Sequence, residues 1–380
     1  MNDPLVRLLS DLVAIDSVNG TLVPGGAGEG QVAERCAQEL RSSGLDVRVQ
    51  EAAPGRPNVV AVLEGAQPGP ALMLCGHTDT VGVAGMEAPF DPVVRQGRLY
   101  GRGAQDMKGG IAAILGAVRT LAEGGLAAGR VVVALVADEE HLSLGADALV
   151  REWTADAAVV AEPTDLTIAV GHKGFAWVEV EVSGGGAPGS RPREGRDALQ
   201  RMGRVLSGLE RLDRALQDRP EHPLLGTASL HASLIQGGRE LSSYPDRCVL
   251  QAERRLVTGE PVETAVEEVR ALLATLVELD PELAAEARAI FGRPAYETPA
   301  GHPLPGLLEA ALGRLGRPVQ RGGATFWTDA AILGHAGIPS VVFGPGGAGL
   351  HGLEEYVRLD EVAACRDALV DLARAFCAGA

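Results

Sequence analysis

Four short apolar runs near the beginning of the chain constrain its fold most strongly. They are NVVAVLEG, ALMLCGH, VVVALVADEE and AAVVAEP, and each is largely apolar with few polar interruptions. Nearly continuous runs of this length are typical of strands that are buried on both faces of a sheet. Between the second and third runs, IAAILGAVRTLAEGG has helical spacing and ends at Gly124–Gly125. The alternation predicts an α/β fold with a mixed, mostly parallel sheet flanked by helices.

The middle of the chain has a different pattern. FAWVEVEVSG, ASLHASLIQGG and DRCVLQAERRLV alternate apolar and polar residues, which predicts strands with one face in water. Helical patterns cover Asp197–Leu212 and the later segment PVETAVEEVRALLATLVEL, so the order predicts a β-α-β-β-α-β sandwich of the α+β class. Because the α/β pattern resumes near Pro294, we predict a discontinuous larger domain, residues 1–172 and 293–380, that carries an inserted domain, residues 173–292.

Composition and charge limit the possible partners and the compartment. A hydrophobic fraction of 46% over 380 residues is typical of a folded protein with a large core, and the net charge of −16 argues against nucleic acid or an anionic membrane as partner. The five cysteines are scattered and include no CxxC pair, which favours reduced thiols. Charges interrupt the apolar spacing near the N-terminus, which predicts neither a signal peptide nor a membrane span. We therefore expect a cytoplasmic protein.

Acidic residues and histidines follow several of the predicted buried strands or lie in glycine-rich loops. They are His77, Asp79, Asp106, Asp138, Glu139, Glu140, Glu162 and His351. Ligands of open α/β sheets bind beyond the carboxyl ends of the strands, so we expect these side chains to converge there. A carboxylate cluster in one crevice repels itself electrostatically unless a cation lies among its members. The pattern therefore predicts a metal site.

The donor types indicate which metals the site would take. Histidine and carboxylate ligands without cysteine suit zinc, cobalt or manganese, and the donors exceed what one tetrahedral ion needs, so we predict two ions that share a carboxylate. His77 and Asp79 point the same way on an extended strand, so Asp79 can accept the second ring N–H of His77. Of the pair Glu139–Glu140, one carboxylate can bind metal while the other takes a proton from a metal-bound water.

Five motifs in order strengthen this prediction. HTDTV, GRGAQDMKGG, ADEE, AEPT and GLHGLEEYV resemble the dinuclear metallohydrolase family of acetylornithine deacetylase, succinyl-diaminopimelate desuccinylase, aminoacylase and carboxypeptidase G, over nearly the whole chain. The resemblance implies a role for each residue: His77 and Glu162 on one metal, Glu140 and His351 on the other, Asp106 as the bridge and Glu139 as the general base.

The resemblance also implies an activity and an assembly. We expect an amidohydrolase or peptidase that cleaves a small N-acyl amino acid or dipeptide with a free carboxylate, using two divalent ions, zinc in the first place. The larger domain would be catalytic, and the inserted domain would act as a lid and form a homodimer. In PDRCVLQAERR, Arg255 best matches an arginine that holds the substrate carboxylate, with Arg254 as the alternative and a surface arginine as the other interpretation.

One position departs from the family pattern. The family usually has a histidine that polarises the scissile carbonyl where GGGAPGSRP places Pro188, which has no side-chain donor. Loss of one such donor costs about 2.7–4 kcal/mol of transition-state stabilisation. His172 or His231 could replace it, the enzyme could be slow or act on an activated substrate, or the chain could be a weak or inactive metal-binding homologue with a regulatory role. We favour an active enzyme because Glu139 and the predicted ligands are all present.

A nucleotide-binding α/β protein is a further alternative, which the glycine-rich loops suggest. No GxGxxG motif follows the first predicted strand, and the loops contain metal-type ligands instead. The sequence therefore favours the metallohydrolase.

Overall fold

The computed structural model describes residues 3–379, which divide into two compact units. The larger unit contains the chain up to Gly171, Glu297–Gly323 and the chain from Thr328 onward. The inserted unit contains His172–Tyr296 and Ala324–Trp327. None of the described helices is both long enough and apolar enough to cross a membrane.

The helices of the described residues include those that the sequence pattern predicted, although the helix predicted to end at Leu212 continues to Gln217. They are α1 (Pro4–Val13), α2 (Gly30–Ser42), α3 (Gly109–Gly124), α4 (Leu144–Glu152), α5 (Ala198–Gln217), α6 (Thr264–Leu279), α7 (Pro303–Arg314), α8 (Ala330–His335) and α9 (Leu359–Cys377). A π-helical turn, Ala104–Lys108, precedes α3.

The strands range from two to ten residues in length. They are β1 (Asp46–Ala53), β2 (Arg56–Glu64), β3 (Ala71–His77), β4 (Val93–Arg95), β5 (Arg98–Tyr100), β6 (Arg130–Val136), β7 (Ala157–Val160), β8 (Ile168–His172), β9 (Gly174–Ser183), β10 (Ser229–Gly237), β11 (Arg247–Leu256), β12 (Ala284–Arg293), β13 (Tyr296–Glu297), β14 (Arg321–Ala324), β15 (Ser340–Val342), β16 (Gly347–Ala348) and β17 (Tyr356–Arg358).

The main sheet of the larger unit is mixed, with its parallel part at the centre. Its order is β1-β2-β6-β3-β7-β15-β8-β13, and β14 pairs with β8. The central strands β6, β3, β7 and β15 are parallel, whereas β1 and β2 on one side and β8 on the other pair antiparallel. Every residue of β3 is buried, as a strand between two layers of helices requires. The predicted α/β class is confirmed.

Close packing brings the beginning of α3 against the end of β7. A Cβ atom on Gly110 would lie 2.0 Å from the carbonyl oxygen of Ala161, so no larger residue fits without moving the backbone. Ala161 directly precedes Glu162, and Gly110 follows Asp106 by four residues. The contact therefore fixes two predicted metal ligands relative to each other.

The inserted unit is an antiparallel sheet with the order β10-β11-β9-β12 and two helices, α5 and α6. Its chain order is β-α-β-β-α-β, which confirms the predicted sandwich. Along β11 every second residue is buried, and the apolar ones among them, Cys248, Leu250, Ala252 and Leu256, pack in the core with the apolar faces of α5 and α6. The alternating sequence pattern has this burial as its physical cause.

The inserted unit also includes a segment far from it in sequence. The N–H of Lys173 donates to the carbonyl of Ala324 (3.2 Å), and the indole Nε1 of Trp327 donates to the carbonyl of Pro294 (3.2 Å). These bonds hold Ala324–Trp327 and the residues after β12 within this unit. No periodicity in the sequence reports such a long-range association.

Candidate metal centre

The first group of predicted site residues follows three neighbouring parallel strands. His77 is the last residue of β3, Glu139 and Glu140 follow β6, and Glu162 follows β7. Because β6, β3 and β7 are adjacent and parallel, their carboxyl ends meet at one edge of the sheet. The sheet topology therefore brings these four side chains together.

A small separate sheet brings in the other two predicted ligands. Strand β5 pairs with β17, with Tyr100 opposite Tyr356. Asp106 lies in the turn after β5, next to a cis peptide bond with Met107, and His351 lies in the loop between β16 and β17. Pairing of β5 with β17 therefore places the Asp106 and His351 loops side by side.

The two carboxylate oxygens of Asp106 face two different histidines. Oδ1 lies 3.0 Å from Nε2 of His77, which is also 3.6 Å from Oε1 of Glu162. Oδ2 lies 3.3 Å from Nε2 of His351, which is also 3.3 Å from Oε2 of Glu140. Asp106 thus stands between two donor groups of one histidine and one glutamate each.

Several donor atoms in this cluster lack the partners that buried polar atoms normally have. The donor atoms of His77, Glu139 and Glu162 lie within 4.8 Å of one another, as do those of His77, Asp106 and Glu140. Oε1 of Glu140 and Oε1 of Glu162 are buried and accept no hydrogen bond. A cation among these oxygens would relieve the cost of burying them, so the residues fit divalent metal ions.

The orientation of His77 suits a metal at its other nitrogen. The prediction that the Asp79 carboxylate accepts the second ring N–H of His77 is wrong. Nδ1 of His77 donates to the backbone carbonyl of Asp79 (3.0 Å), because the carboxylate lies 3.6 Å away, too far for a hydrogen bond. With the proton on Nδ1, the lone pair of Nε2 faces the carboxylates of Asp106 and Glu162. A metal ion, or a second ring proton when no metal is bound, would make the contact between this nitrogen and the carboxylates favourable.

The pKa values report the same crowding of negative charge. Hydrogen bonds that His351 donates to the carboxylates of Asp106 and Glu140 raise its pKa to about 10. Burial alone would lower the pKa of His77, but the surrounding carboxylates outweigh it and raise that pKa well above its ordinary value. Burial and the charge of Asp106 raise the pKa of Glu140 to about 7. Without metal, the carboxylates therefore favour the protonated form of both imidazoles.

The sequence analysis missed Glu355, a buried carboxylate that holds the Asp106 loop. Glu355 accepts from Nη1 of Arg102 (2.6 Å), and Arg102 also donates to the carbonyl of Gly352 in the His351 loop (2.9 Å). Glu355 further accepts the backbone N–H groups of Gly103, Gln105 and Asp106 at 3.0, 2.9 and 3.1 Å. The motif GLEEYV contained this residue, but nothing local distinguishes it from exposed Glu354.

Asp329 is a second carboxylate that the sequence analysis missed. It precedes α8, is buried, and has one oxygen, Oδ1, without a hydrogen-bond partner. Burial raises its pKa to about 8, against the effect of a hydrogen bond from Ser143. Its electrostatic interaction with His77 and Glu162 places it near the cluster.

The two candidate substrate arginines lie on β11 of the inserted unit and differ in their surroundings. Arg254 is fully buried, with its guanidinium held by Glu260 (2.8 Å) and Glu268 (3.0 Å). The Arg255 side chain is 30% exposed and donates through Nε to Glu253 (2.5 Å). Of the two, only Arg255 has an accessible guanidinium.

The position that lacks the family histidine also lies in the inserted unit. Pro188 forms a backbone bridge with Ser243 and lines a cleft of about 530 Å³ together with Arg239. The two candidate replacement histidines lie elsewhere in this unit. His231 is exposed on β10, whereas His172 is buried with its ring against Trp327.

Two histidines and two glutamates around Asp106 fit a site for divalent metal, as in the class of metal-dependent hydrolases. Comparison with protein-family models then identifies the family: residues 73–375 match the model of Peptidase family M20/M25/M40, and the chain belongs to this family. It is therefore a hydrolase of amide or peptide bonds, as its motifs predicted.

Curated relatives cover the chain almost completely. The acetylornithine deacetylase of Myxococcus xanthus is 31% identical and is aligned over 100% of both chains. The N-formyl-4-amino-5-aminomethyl-2-methylpyrimidine deformylase of Bacillus subtilis (strain 168) is 29% identical, with 89% of this chain and 87% of the relative aligned.

Solved structures share the fold. A tripeptidase from Staphylococcus aureus superposes with a TM-score of 0.82 at 22% identity, covering 98% of both chains. A dinuclear metal-binding peptidase of the M20 family from Bacillus subtilis superposes with a TM-score of 0.76 at 17% identity, covering 99% of this chain and 98% of the other.

Proposed function

We propose that this chain hydrolyses the amide bond of a small N-acyl amino acid or dipeptide with a free carboxylate. The observation that carries the proposal is the position of Asp106 between two histidine–glutamate groups whose buried oxygens lack partners. Family membership supports an amide as the bond that is cleaved.

Two metal ions would complete the site. We assign His77 and Glu162 to one ion, Glu140 and His351 to the other, and Asp106 to both. These nitrogen and oxygen donors suit zinc, and also cobalt or manganese. When bound, such ions polarise the scissile carbonyl and acidify water. The described Bacillus subtilis structure, a dinuclear metal-binding peptidase of the same family, supports the number two.

Glu139 is the residue that we assign as general base. Burial and the charge of Glu162 raise its pKa well above the ordinary value in the metal-free protein, which makes its carboxylate a stronger base than an exposed glutamate. Glu139 takes one proton from the attacking water as the water oxygen bonds to the carbonyl carbon. As the C–N bond breaks, Glu139 gives this proton to the leaving nitrogen, so that the products are a carboxylic acid and an amine.

Asp79 binds the backbone of the proposed base, Glu139, and of the proposed ligand Glu140. Its Oδ1 accepts the N–H of Glu139 and its Oδ2 the N–H of Glu140, both at 3.1 Å. We therefore assign Asp79 to orienting the Glu139–Glu140 turn as well as His77, whose Nδ1 donates to its carbonyl oxygen.

Arg255 is our candidate for the substrate carboxylate, because its guanidinium is accessible while that of Arg254 is fully engaged with two glutamates. The names of the relatives define the acyl groups to test. The Myxococcus relative is named for an acetylated amino acid and the Bacillus relative for an N-formyl pyrimidine amine, so acetyl and formyl substrates both belong in the screen.

We propose that the inserted unit forms a homodimer through β10. This strand is an edge of its sheet, and its outer residues are exposed, including the apolar pair Leu234 (65%) and Ile235 (53%). An exposed apolar edge strand is a template for pairing with a second chain, and a two-fold axis would join two copies of β10.

We place the enzyme in the cytoplasm, a proposal that the five buried free thiols support.

The test is a hydrolysis screen with N-acetyl, N-succinyl and N-formyl amino acids and dipeptides, on protein loaded with zinc, cobalt or manganese. Glu139→Ala is assayed beside the parent, and Glu278→Ala, which alters an exposed glutamate of α6, is the matched control. We expect turnover that is lost only in Glu139→Ala. Turnover that survives in Glu139→Ala, or a parent that hydrolyses none of these substrates, would contradict the proposal.

A further inference from the structure

A buried asparagine joins two carboxylates behind the candidate metal centre. Asn19 lies in the loop after α1 and is fully buried. Its Nδ2 donates one hydrogen to Oδ2 of Asp79 (2.8 Å) and the other to Oδ1 of Asp138 (2.9 Å). Its Oδ1 accepts the backbone N–H groups of Thr21 (2.9 Å) and Leu22 (3.1 Å). Every hydrogen-bonding position of this amide is therefore used.

The two carboxylates that Asn19 joins, those of Asp79 and Asp138, both lie beside the turn that contains Glu139 and Glu140. Asp79 accepts the backbone N–H groups of Glu139 and Glu140. Asp138 directly precedes Glu139 and has a left-handed backbone, with φ of 71°. Such a backbone persists in a non-glycine residue only where its surroundings enforce it, and the carboxylate of Asp138 is held from two sides.

Arg56 holds Asp138 from the other side. Its Nη2 donates to Oδ1 of Asp138 (2.7 Å), and its guanidinium also binds both oxygens of Glu29. The Asp138 charge thus has a cationic partner, whereas the Asp79 carboxylate is held by Asn19 and backbone N–H groups. A neutral side chain with two donors can join two nearby carboxylates without leaving either oxygen unpaired, which a carboxylate or an aliphatic side chain cannot do.

We propose that Asn19 is a positioning residue of the metal centre, because it fixes Asp79 and Asp138 and through them His77 and the Glu139–Glu140 turn. The inference rests on the proposed function, since it assigns Asn19 to the same site. Residues that orient metal ligands from behind typically change metal affinity or activity by about 10–100-fold when they are replaced.

Two substitutions separate positioning from general stability. Asn19→Leu keeps a similar volume and removes both donors, while Asn19→Asp places a third carboxylate between Asp79 and Asp138. The matched control is Asn58→Leu. Asn58 is an equally buried asparagine that bonds the backbone of Ala137 (3.0 Å) and Gly145 (2.8 Å), the two ends of the same loop, but contacts no predicted ligand.

The variants are compared by zinc affinity in competition with a chelator, by the absorption spectrum of the cobalt-loaded protein, by kcat and KM, and by the midpoint of thermal unfolding. We expect both Asn19 variants to lose about 10–100-fold in zinc affinity or kcat, with an altered cobalt spectrum and little change in KM. Asn58→Leu should lower the unfolding midpoint but preserve the spectrum and the zinc affinity.

Three results would overturn the inference: an unchanged spectrum and zinc affinity in both Asn19 variants, losses that match those of Asn58→Leu, or variants that only unfold without a change at the metal. Failure of the proposed function is distinguishable. It appears as a parent without turnover, in which zinc affinity and the cobalt spectrum still report the effect of Asn19.

Discussion

The two units of this protein bury charge in opposite ways. In the inserted unit, the guanidinium of Arg254 is completely buried, and two glutamates, Glu260 and Glu268, accept its hydrogen bonds. In the larger unit, Glu140 and Glu162 each keep a buried oxygen without a donor. A satisfied buried charge is a structural element, whereas an unsatisfied cluster of one sign indicates a site that a ligand completes.

The largest expected effect is on the chemistry of the larger unit. Glu139→Gln removes the proton acceptor but keeps the side-chain shape, so kcat should fall by about 10²–10⁴-fold. Unfolding of the metal-free protein should show no loss of stability, since a buried carboxylate with raised pKa becomes a neutral amide. Steady-state kinetics and thermal unfolding check both parts. A lower unfolding midpoint with normal kcat would mean that Glu139 serves stability and not catalysis.

The next expected effect is on the stability of the inserted unit. Arg254→Leu removes the buried cation between Glu260 and Glu268 and leaves them beside Arg219, which is half-exposed, so we expect a loss of about 3 kcal/mol in the free energy of unfolding. Arg255→Leu is the matched variant, because it changes the neighbouring, accessible arginine. It should leave stability nearly unchanged and raise KM for a substrate with a free carboxylate. Equal effects of the two variants in urea unfolding and in kinetics would remove the distinction between them.

A third prediction concerns the missing donor of the inserted unit. Pro188→His introduces a side chain that can polarise a carbonyl, and one such donor is worth about 10²–10³-fold in kcat. If the parent is slow because it lacks this donor, kcat should rise by up to this factor in single-substrate assays. A decrease, with Gly189→Ala as the neighbouring control, would mean that the parent obtains this interaction from another residue.

Replacement of Glu355, the buried carboxylate that holds the Asp106 loop, should have a smaller effect. Glu355→Gln keeps one acceptor for the loop that contains Asp106 but removes the charge that pairs with Arg102, so zinc affinity or kcat should fall by about 10–100-fold. Glu354→Gln alters the exposed neighbouring residue and should have no effect. Chelator competition and kinetics on both variants decide whether Glu355 affects metal binding and turnover.

The smallest expected effect is on the pH dependence of stability in the metal-free protein, which should have opposite signs in the two units. The folded pKa of His351, about 10, and that of Glu140, about 7, exceed their unfolded values, so their stabilisation is present at low pH and declines as pH rises through those values. Burial would raise the pKa of Glu260, but its interactions, those with Arg254 foremost, outweigh burial and lower that pKa. Its stabilisation is therefore lost as pH falls from the unfolded value through the folded one. Zinc requires neutral imidazoles and should bind more tightly as pH rises.

Calorimetry of zinc binding in buffers of different ionisation enthalpy would check the proton release directly. Thermal unfolding of the metal-free protein between pH 5 and pH 9 would check the sign for the larger unit. Binding that releases no protons, or a metal-free protein that gains stability toward pH 9, would contradict the assignment of the histidines as protonated partners of the carboxylates.

The sequence predicted the parts of the molecule that depend on neighbours along the chain. Near-continuous apolar runs indicated the central strands, because a strand covered on both faces has no polar positions. Alternation indicated β11, because only one of its faces is buried. The motifs identified the candidate ligands because the chemistry of metal binding restricts residue types, and the strand ends restrict where those residues can lie.

The remaining features depend on residues far apart in sequence. Asn19 is 60 residues from Asp79 and 119 from Asp138, and Glu355 is 249 from Asp106. Alternation also could not choose between Arg254 and Arg255, since it does not say which face the helices cover.

By itself, the sequence determined the fold class, the inserted sandwich and the set of candidate ligands, because local periodicity and residue chemistry encode them. Only the tertiary structure decided that β5 pairs with β17, that Asp106 stands between two histidines, and that Asn19 joins two carboxylates behind them. These relations arise when the sheet closes and the chain packs, and no short window of sequence contains that information.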